Sequence, residues 1–230
     1  MQKASFLYIF TILLLTACTN APDSDQAKTS EAEQTNAAKG DENWKIDVAS
    51  SDIKWIGTKV SGYHTGEIPL KSGHISLSNG NVVGGNFVMD VANLTVSGPK
   101  GSNEAMNKKL LGHLQSEDFF DVQKHSEAIF ELTDVQPFQG TVQDTTDPRQ
   151  EEINQYKVTN PTHTVRGNLT IKGITKNIEF PAQITTSGNT VDAIAKFNIN
   201  RKDWNIVYAG QPDDLIRDDV HLGIAIKANK

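Results

Sequence analysis

The chain has 230 residues, 37% of them hydrophobic, and its 22 basic against 28 acidic side chains give a formal charge of −6. That balance, with no Lys/Arg cluster able to neutralise phosphates, excludes a nucleic-acid-binding protein. The single cysteine excludes an intrachain disulfide.

Residues 1–17 read as a signal peptide. Lys3 supplies the charged start, Phe6 to Leu15 the apolar run, and Thr16 and Ala17 the small residues before a cut. An apolar run this short, at about 1.5 Å per helical residue, does not cross a bilayer core of roughly 30 Å. The tetrad Leu15-Thr16-Ala17-Cys18 resembles the bacterial lipobox. That resemblance implies cleavage before Cys18, acylation of its sulfur and a protein anchored in the bacterial cell envelope. Acylation also removes a lone exposed thiol from an exported chain. An ordinary secretory signal with a chance cysteine is the alternative. Thr19 stands where an aspartate is associated with inner-membrane retention, which points to the outer membrane, with the protein facing the periplasm. Cleavage removes Lys3 and leaves a charge of −7.

Residues 18–43 are expected to form a disordered tether. From Thr19 to Asn43 there is no Val, Ile, Leu, Phe or Met, so the segment has nothing to bury against the entropy of ordering it. A flexible linker of this length reaches about 25–30 Å.

From Trp44 onward, residues 44–230 read as one domain dominated by two-residue alternation. Ile53 to Val60 alternates, and Gly73 to Gly80 alternates and ends on Asn79-Gly80, a strong hairpin signal. Val83 to Val96 places Val83, Gly85, Phe87, Met89 and Val91 on one face. Further runs cover Ala128 to Leu132, Val165 to Ile171, Ile178 to Ile184, Val191 to Ile199 and Val220 to Ile226. The interruption lies at 102–114, where Met106, Leu110, Leu111 and Leu114 follow helical spacing behind Ser102 as N-cap, with a further turn over Ser116 to Phe120. The polar run Gln139 to Gln155 reads as an extended hairpin loop. Eight or so antiparallel strands with one short helical insert predict an all-β, eight-stranded barrel, because closure removes sheet edges that would otherwise aggregate. A barrel of eight strands has room for a small or elongated ligand.

Three segments carry a resemblance. They are Ser116-Glu117-Asp118-Phe119-Phe120-Asp121-Val122 with Ala128-Ile129-Phe130, then Gly167-Asn168-Leu169-Thr170-Ile171-Lys172-Gly173-Ile174-Thr175-Lys176, then Asn200-Arg201-Lys202-Asp203-Trp204. In this order and spacing, with Trp44-Lys45-Ile46-Asp47 opening the domain, the chain resembles the YceI-like family of periplasmic lipid-binding proteins. The resemblance implies an extended lipocalin-like antiparallel barrel whose apolar tunnel holds a polyisoprenoid or another long-chain amphiphile. The chain departs from the family at Leu110 and Leu111, where an arginine and an aspartate are common, and over Gly62 to Leu70.

An apolar ligand needs a concave hydrophobic wall with few polar groups. The candidate wall residues are Trp55, Phe87, Met89, Phe130, Leu169, Ile171, Phe180 and Phe197 on strands, Phe119 and Phe120 in the helical insert, and Trp204 in the third motif. Ordinary core packing is the stronger reading for each of them, and most can serve both roles. Gly85 and Gly167 suit strand curvature or a close approach, and ordinary bulges explain them equally well. Arg201 is expected to pair with Asp203 rather than meet a polar head group. His64, His74, His113, His125, His163 and His221 lack metal-ligand spacing, and no nucleophile, phosphate-loop or dinucleotide signature occurs. The expected activity is therefore non-enzymatic, without metal or cofactor: a membrane-anchored carrier of a polyisoprenoid, a quinone or a similar lipid. The rival expectations are an accessory presenting a quinone-like lipid to membrane redox chemistry, and a structural lipoprotein whose barrel is filled by its own side chains.

Overall fold

The predicted alternation is realised as one sheet curled back on itself, in a computed structural model that describes residues 20–35, 40–99, 101–141 and 155–230. In chain order the strands are β1 (Asp25–Gln26), β2 (Lys28–Glu31), β3 (Glu42–Ile46), β4 (Asp52–Lys59), β5 (Gly62–Glu67), β6 (Leu70–Ser78) and β7 (Asn81–Asp90). After the helix α1 (Glu104–Leu114) come β8 (Glu127–Pro137), β9 (His163–Ile171), β10 (Ile174–Ser187), β11 (Thr190–Asn200), β12 (Gly210–Gln211) and β13 (Asp214–Asn229).

Strands β6 to β11 are hydrogen-bonded neighbours in sequence order. β11 also pairs with β13, β13 with β3, and β3 with β6, so eight strands close an antiparallel barrel. The β4–β5 hairpin continues the wall on β13, from Asp52↔Ala225 to Lys59↔Ile216, where β3 has left it. Closure rests on period-two burial: Val165, Gly167, Leu169 and Ile171 of β9 turn inward, and Ala195, Phe197 and Ile199 of β11 do the same. At Asn79-Gly80 both residues have positive φ, +50° and +78°, as a tight β6–β7 hairpin requires.

The two ends differ. At the β10–β11 hairpin end, Trp44, Ile46, Ile75, Leu77, Val191, Ile226 and Ala228 pack into a buried cluster that floors the barrel. At the other end lie α1, the β4–β5, β9–β10 and β12–β13 turns, and a 3₁₀ turn over Arg201–Trp204. Helix α1 is held there by its C-terminal neighbour Gln115, whose amide donates to the Ala92 carbonyl at 2.8 Å.

Several expectations need correcting. The N-cap of α1 is Asn103, whose carboxamide oxygen accepts from the Ala105 and Met106 amides; Ser102 instead accepts from the Asn107 side chain. The run from Val83 ends as a strand at Asp90, which caps a short 3₁₀ turn over Val91–Asn93. The largest correction concerns the tether. Residues 25–26 pair with β11 and residues 28–31 with β10, so this part of 18–43 is ordered on the barrel. Strand edges supply backbone hydrogen bonds that composition does not register, and among the described residues 20–35 only Ala27 is buried. The expected signal peptide, Cys18 and most of the loop 139–155 lie outside the described residues.

Candidate ligand-binding cavity

Inside the barrel is a cavity of about 380 Å³. Native cores leave few voids larger than a water molecule, so the barrel is not filled by its own side chains. All eleven apolar residues singled out in the sequence line this cavity. Trp55 faces in from β4 and hydrogen-bonds its indole N–H to the Thr95 carbonyl at 3.2 Å. Met89 and Phe87 come from β7, Phe130 from β8, Leu169 and Ile171 from β9, Phe180 from β10 and Phe197 from β11. Phe119 and Phe120 enter from the turn after α1. Trp204, fully buried, donates its indole N–H to the Leu169 carbonyl at 2.9 Å and so fixes the 3₁₀ turn against β9.

Four of these residues make a row of rings around the wall. Phe87 and Phe130 lie 6.1 Å apart between centroids, Phe130 and Phe180 5.8 Å, and Phe180 and Phe197 4.1 Å. The row crosses β9 because β9 offers Gly167 there: a Cβ at that position would sit 2.3 Å from Phe130 Cζ. The glycine is thus a socket for the Phe130 ring. Gly85 serves a similar close approach, with the His74 carbonyl 2.8 Å from where its Cβ would be.

Polar groups gather at the end opposite the floor, where Thr58, Lys59, His64, Arg201 and Arg217 also line the cavity. Thr58 Oγ1 and His64 Nδ1 are buried with no hydrogen-bond partner among the described residues, a cost in a closed core but a resource for a ligand head group or water. Burial pushes the His64 pKa down and favours the neutral imidazole, with a hydrogen bond to the Gly98 backbone opposing the shift. Arg201 is 4% exposed and does not pair with Asp203. Its guanidinium donates to the carbonyls of Ile206, Ile216 and Arg217 and reaches Asp218 at 3.4 Å. Burial lowers its pKa and Asp218 opposes the shift. The pairing expectation failed because Asp203 lies on the same 3₁₀ turn, whereas the fork points across to β13. Lys59 is neutralised by Asp214, which also accepts from the Ser61 amide and hydroxyl.

Sequence reading missed Thr58, His64 and Arg217. No spacing marks them, because they are brought together by the β4–β5 hairpin and a register irregularity in β13 between Ile216 and Val220. Among the described residues no group of three His, Cys, Asp or Glu side chains is placed to hold a metal ion.

The YceI-like domain family matches residues 44–228. Among solved structures, BcnA of Burkholderia cenocepacia superimposes with a TM-score of 0.58 at 17% identity, covering 80% of this chain and 99% of that one. A polyisoprenoid-binding domain from Saccharophagus degradans, implicated in plant cell wall breakdown, gives 0.55 at 14% identity, covering 81% and 97%. No curated protein matches the sequence. At these identities the structural likeness establishes the barrel fold.

Proposed function

The chain belongs to the YceI-like family, and on that premise we propose that it is a non-enzymatic lipid carrier holding a polyisoprenoid or similar long-chain amphiphile inside its barrel. The observation that carries this reading is the blind, apolar cavity, floored at one end and polar at the other. An amphiphile fits that polarity with its chain among the phenylalanine rings and its head beside Thr58 and His64. Affinity comes from chain burial: at about 25 cal/mol per Å², roughly 400 Å² of buried chain surface supplies about 10 kcal/mol before the costs of immobilising it. The polyisoprenoid-binding domain with the same fold supports this class of ligand. The lipobox at Leu15-Thr16-Ala17-Cys18 supports anchorage in the cell envelope, the outer membrane facing the periplasm being the favoured site.

Native mass spectrometry and solvent extraction of freshly purified protein test the cargo. The expected result is a bound long-chain lipid. A barrel that is empty when isolated and ignores added polyprenol, quinone and fatty acid overturns the proposal. Metabolic labelling with a fatty-acid probe tests the anchor: the wild type takes up label and Cys18→Ala does not.

A further inference from the structure

We propose that the seam between β10 and β11 is a lateral portal for the lipid chain, closed by residues 22–33 acting as a removable strap; this rests on the carrier reading above.

The seam is a gap in the ladder of the barrel wall. β10 and β11 pair only from Ser187↔Thr190 to Ala182↔Ala195 and part beyond that point. The cause is in the sequence. The Ala182 carbonyl accepts the Thr162 amide on the β9 side, so its neighbour Pro181 turns its backbone toward β11, and proline has no N–H to offer there. Past Pro181 the strap takes the vacated positions. Asp25 and Gln26 run parallel to Phe197 and Asn198 of β11, and Lys28 to Glu31 run antiparallel to Glu179 to Lys176 of β10. Here the wall of the barrel is a separate piece of chain.

The strap is docked at both ends by side-chain carboxamides on the outer wall. Asn198 donates to the Pro22 carbonyl at 3.0 Å, and its oxygen accepts from His221 Nδ1 at 3.0 Å. Asn168 both accepts the Glu33 amide at 3.0 Å and donates to the Glu33 carbonyl at 2.7 Å, as a strand neighbour would, and Asn177 braces it from β10 at 3.1 Å. These asparagines are buried because the strap covers them, so the wall is built to receive it.

The attachment is nonetheless shallow. Only Ala27, of the described residues 20–35, reaches the core. Besides the carboxamide bonds, the remaining ties are ladder hydrogen bonds, side-chain bonds from Ser24 to the Tyr156 carbonyl and from Gln26 to Asp219, and ion pairs such as Lys28–Glu179 and Lys176–Glu31, whose strap-side members are 82% and 88% exposed; pairs this exposed hold weakly. Lifting the strap withdraws one methyl group from the core and leaves Ile178, Phe180, Phe197 and Ile199 facing the opening, all four lining the cavity. The opening lies in the half of the wall nearest the polar end. A chain slides in sideways without its head crossing the barrel.

A disulfide lock tests the strap. Lys28 and Glu179 are direct register partners, so Lys28→Cys with Glu179→Cys in the full-length protein pins the strap when oxidised and frees it when reduced. Uptake of a fluorescent C16 fatty acid from phosphatidylcholine vesicles is the readout. The portal requires uptake at least tenfold slower in the oxidised form, with the rate restored by dithiothreitol; equal rates overturn it. If wild type and both forms of the variant are isolated empty and take up neither this probe nor added polyprenol or quinone, the carrier reading fails instead. Hydrogen exchange then judges the seam: amides of residues 25–31 that exchange no faster than those of β9 overturn the removable strap.

Discussion

Phe180 and Phe197 stack face to face across the β10–β11 seam, with centroids 4.1 Å apart and planes inclined by 17°. They lie level with each other two residues beyond the last pair, Ala182↔Ala195, and their rings bridge the gap on the inside of the wall while the strap fills it in the wall itself.

Phe197→Leu keeps an apolar side chain but removes the stack. An aromatic pair is worth about 0.5–1.5 kcal/mol beyond its buried area, so a loss of about 1–2 kcal/mol in urea unfolding is expected, against about 3–5 for Phe197→Ala. An unchanged midpoint in both variants shows that the stack has no structural weight.

Gly167→Ala places a methyl group 2.3 Å from the Phe130 ring, which must swing toward the cavity. Overpacking of this kind costs about 1–3 kcal/mol. Because the displaced ring takes up ligand space, the amount of co-purifying lipid falls as well. The second variant Phe130→Leu/Gly167→Ala relieves the ring clash but not the 2.8 Å approach to the Glu131 carbonyl, so it recovers only part of the stability, which thermal unfolding can check.

Replacement of Arg201 leaves three carbonyls that its guanidinium serves. Unsatisfied buried acceptors cost about 1–3 kcal/mol, and Arg201→Met is expected near the upper figure. Arg201→Lys keeps the charge without the planar fork and is expected to recover little. Denaturant titration separates the two outcomes: full stability in the lysine variant assigns the effect to charge instead.

Burial at the strap dock lowers the His221 pKa to about 4, and Lys196 opposes its charging further. The unfolded chain binds a proton near pH 6.5, whereas the folded state resists until about pH 4. The neutral ring therefore contributes its full stability above about pH 6.5, and this is lost as the pH falls toward 4, by at most about 3 kcal/mol. His221→Gln removes that slope from a plot of unfolding free energy against pH. Below about pH 4 both states are protonated and this group adds no further change.

Much of the fold is legible in the sequence because period-two burial is a local signal. Val165 to Ile171 and Val191 to Ile199 alternate as cleanly in the barrel as in the chain. The cavity wall was legible for the same reason: every apolar candidate lies on an inward register position or in the turn after α1 that caps the barrel, or, like Trp204, in the 3₁₀ turn that seals it. The polar end was not, since Thr58, His64 and Arg217 meet only through pairing between distant strands. Nor was the strap. Its residues bury almost nothing, and what orders them is a set of complementary backbone groups exposed by Pro181, a long-range effect that hydropathy cannot report.

The floor of Trp44, Ile75, Leu77 and Ile226 has its own consequence for what the barrel accepts. A tube stopped at one end counts carbons: chains up to its depth lie wholly inside, and every further methylene must remain in water. The protein is then a ruler as well as a container, and Ile226, the floor residue that also lines the cavity, sets where the scale begins.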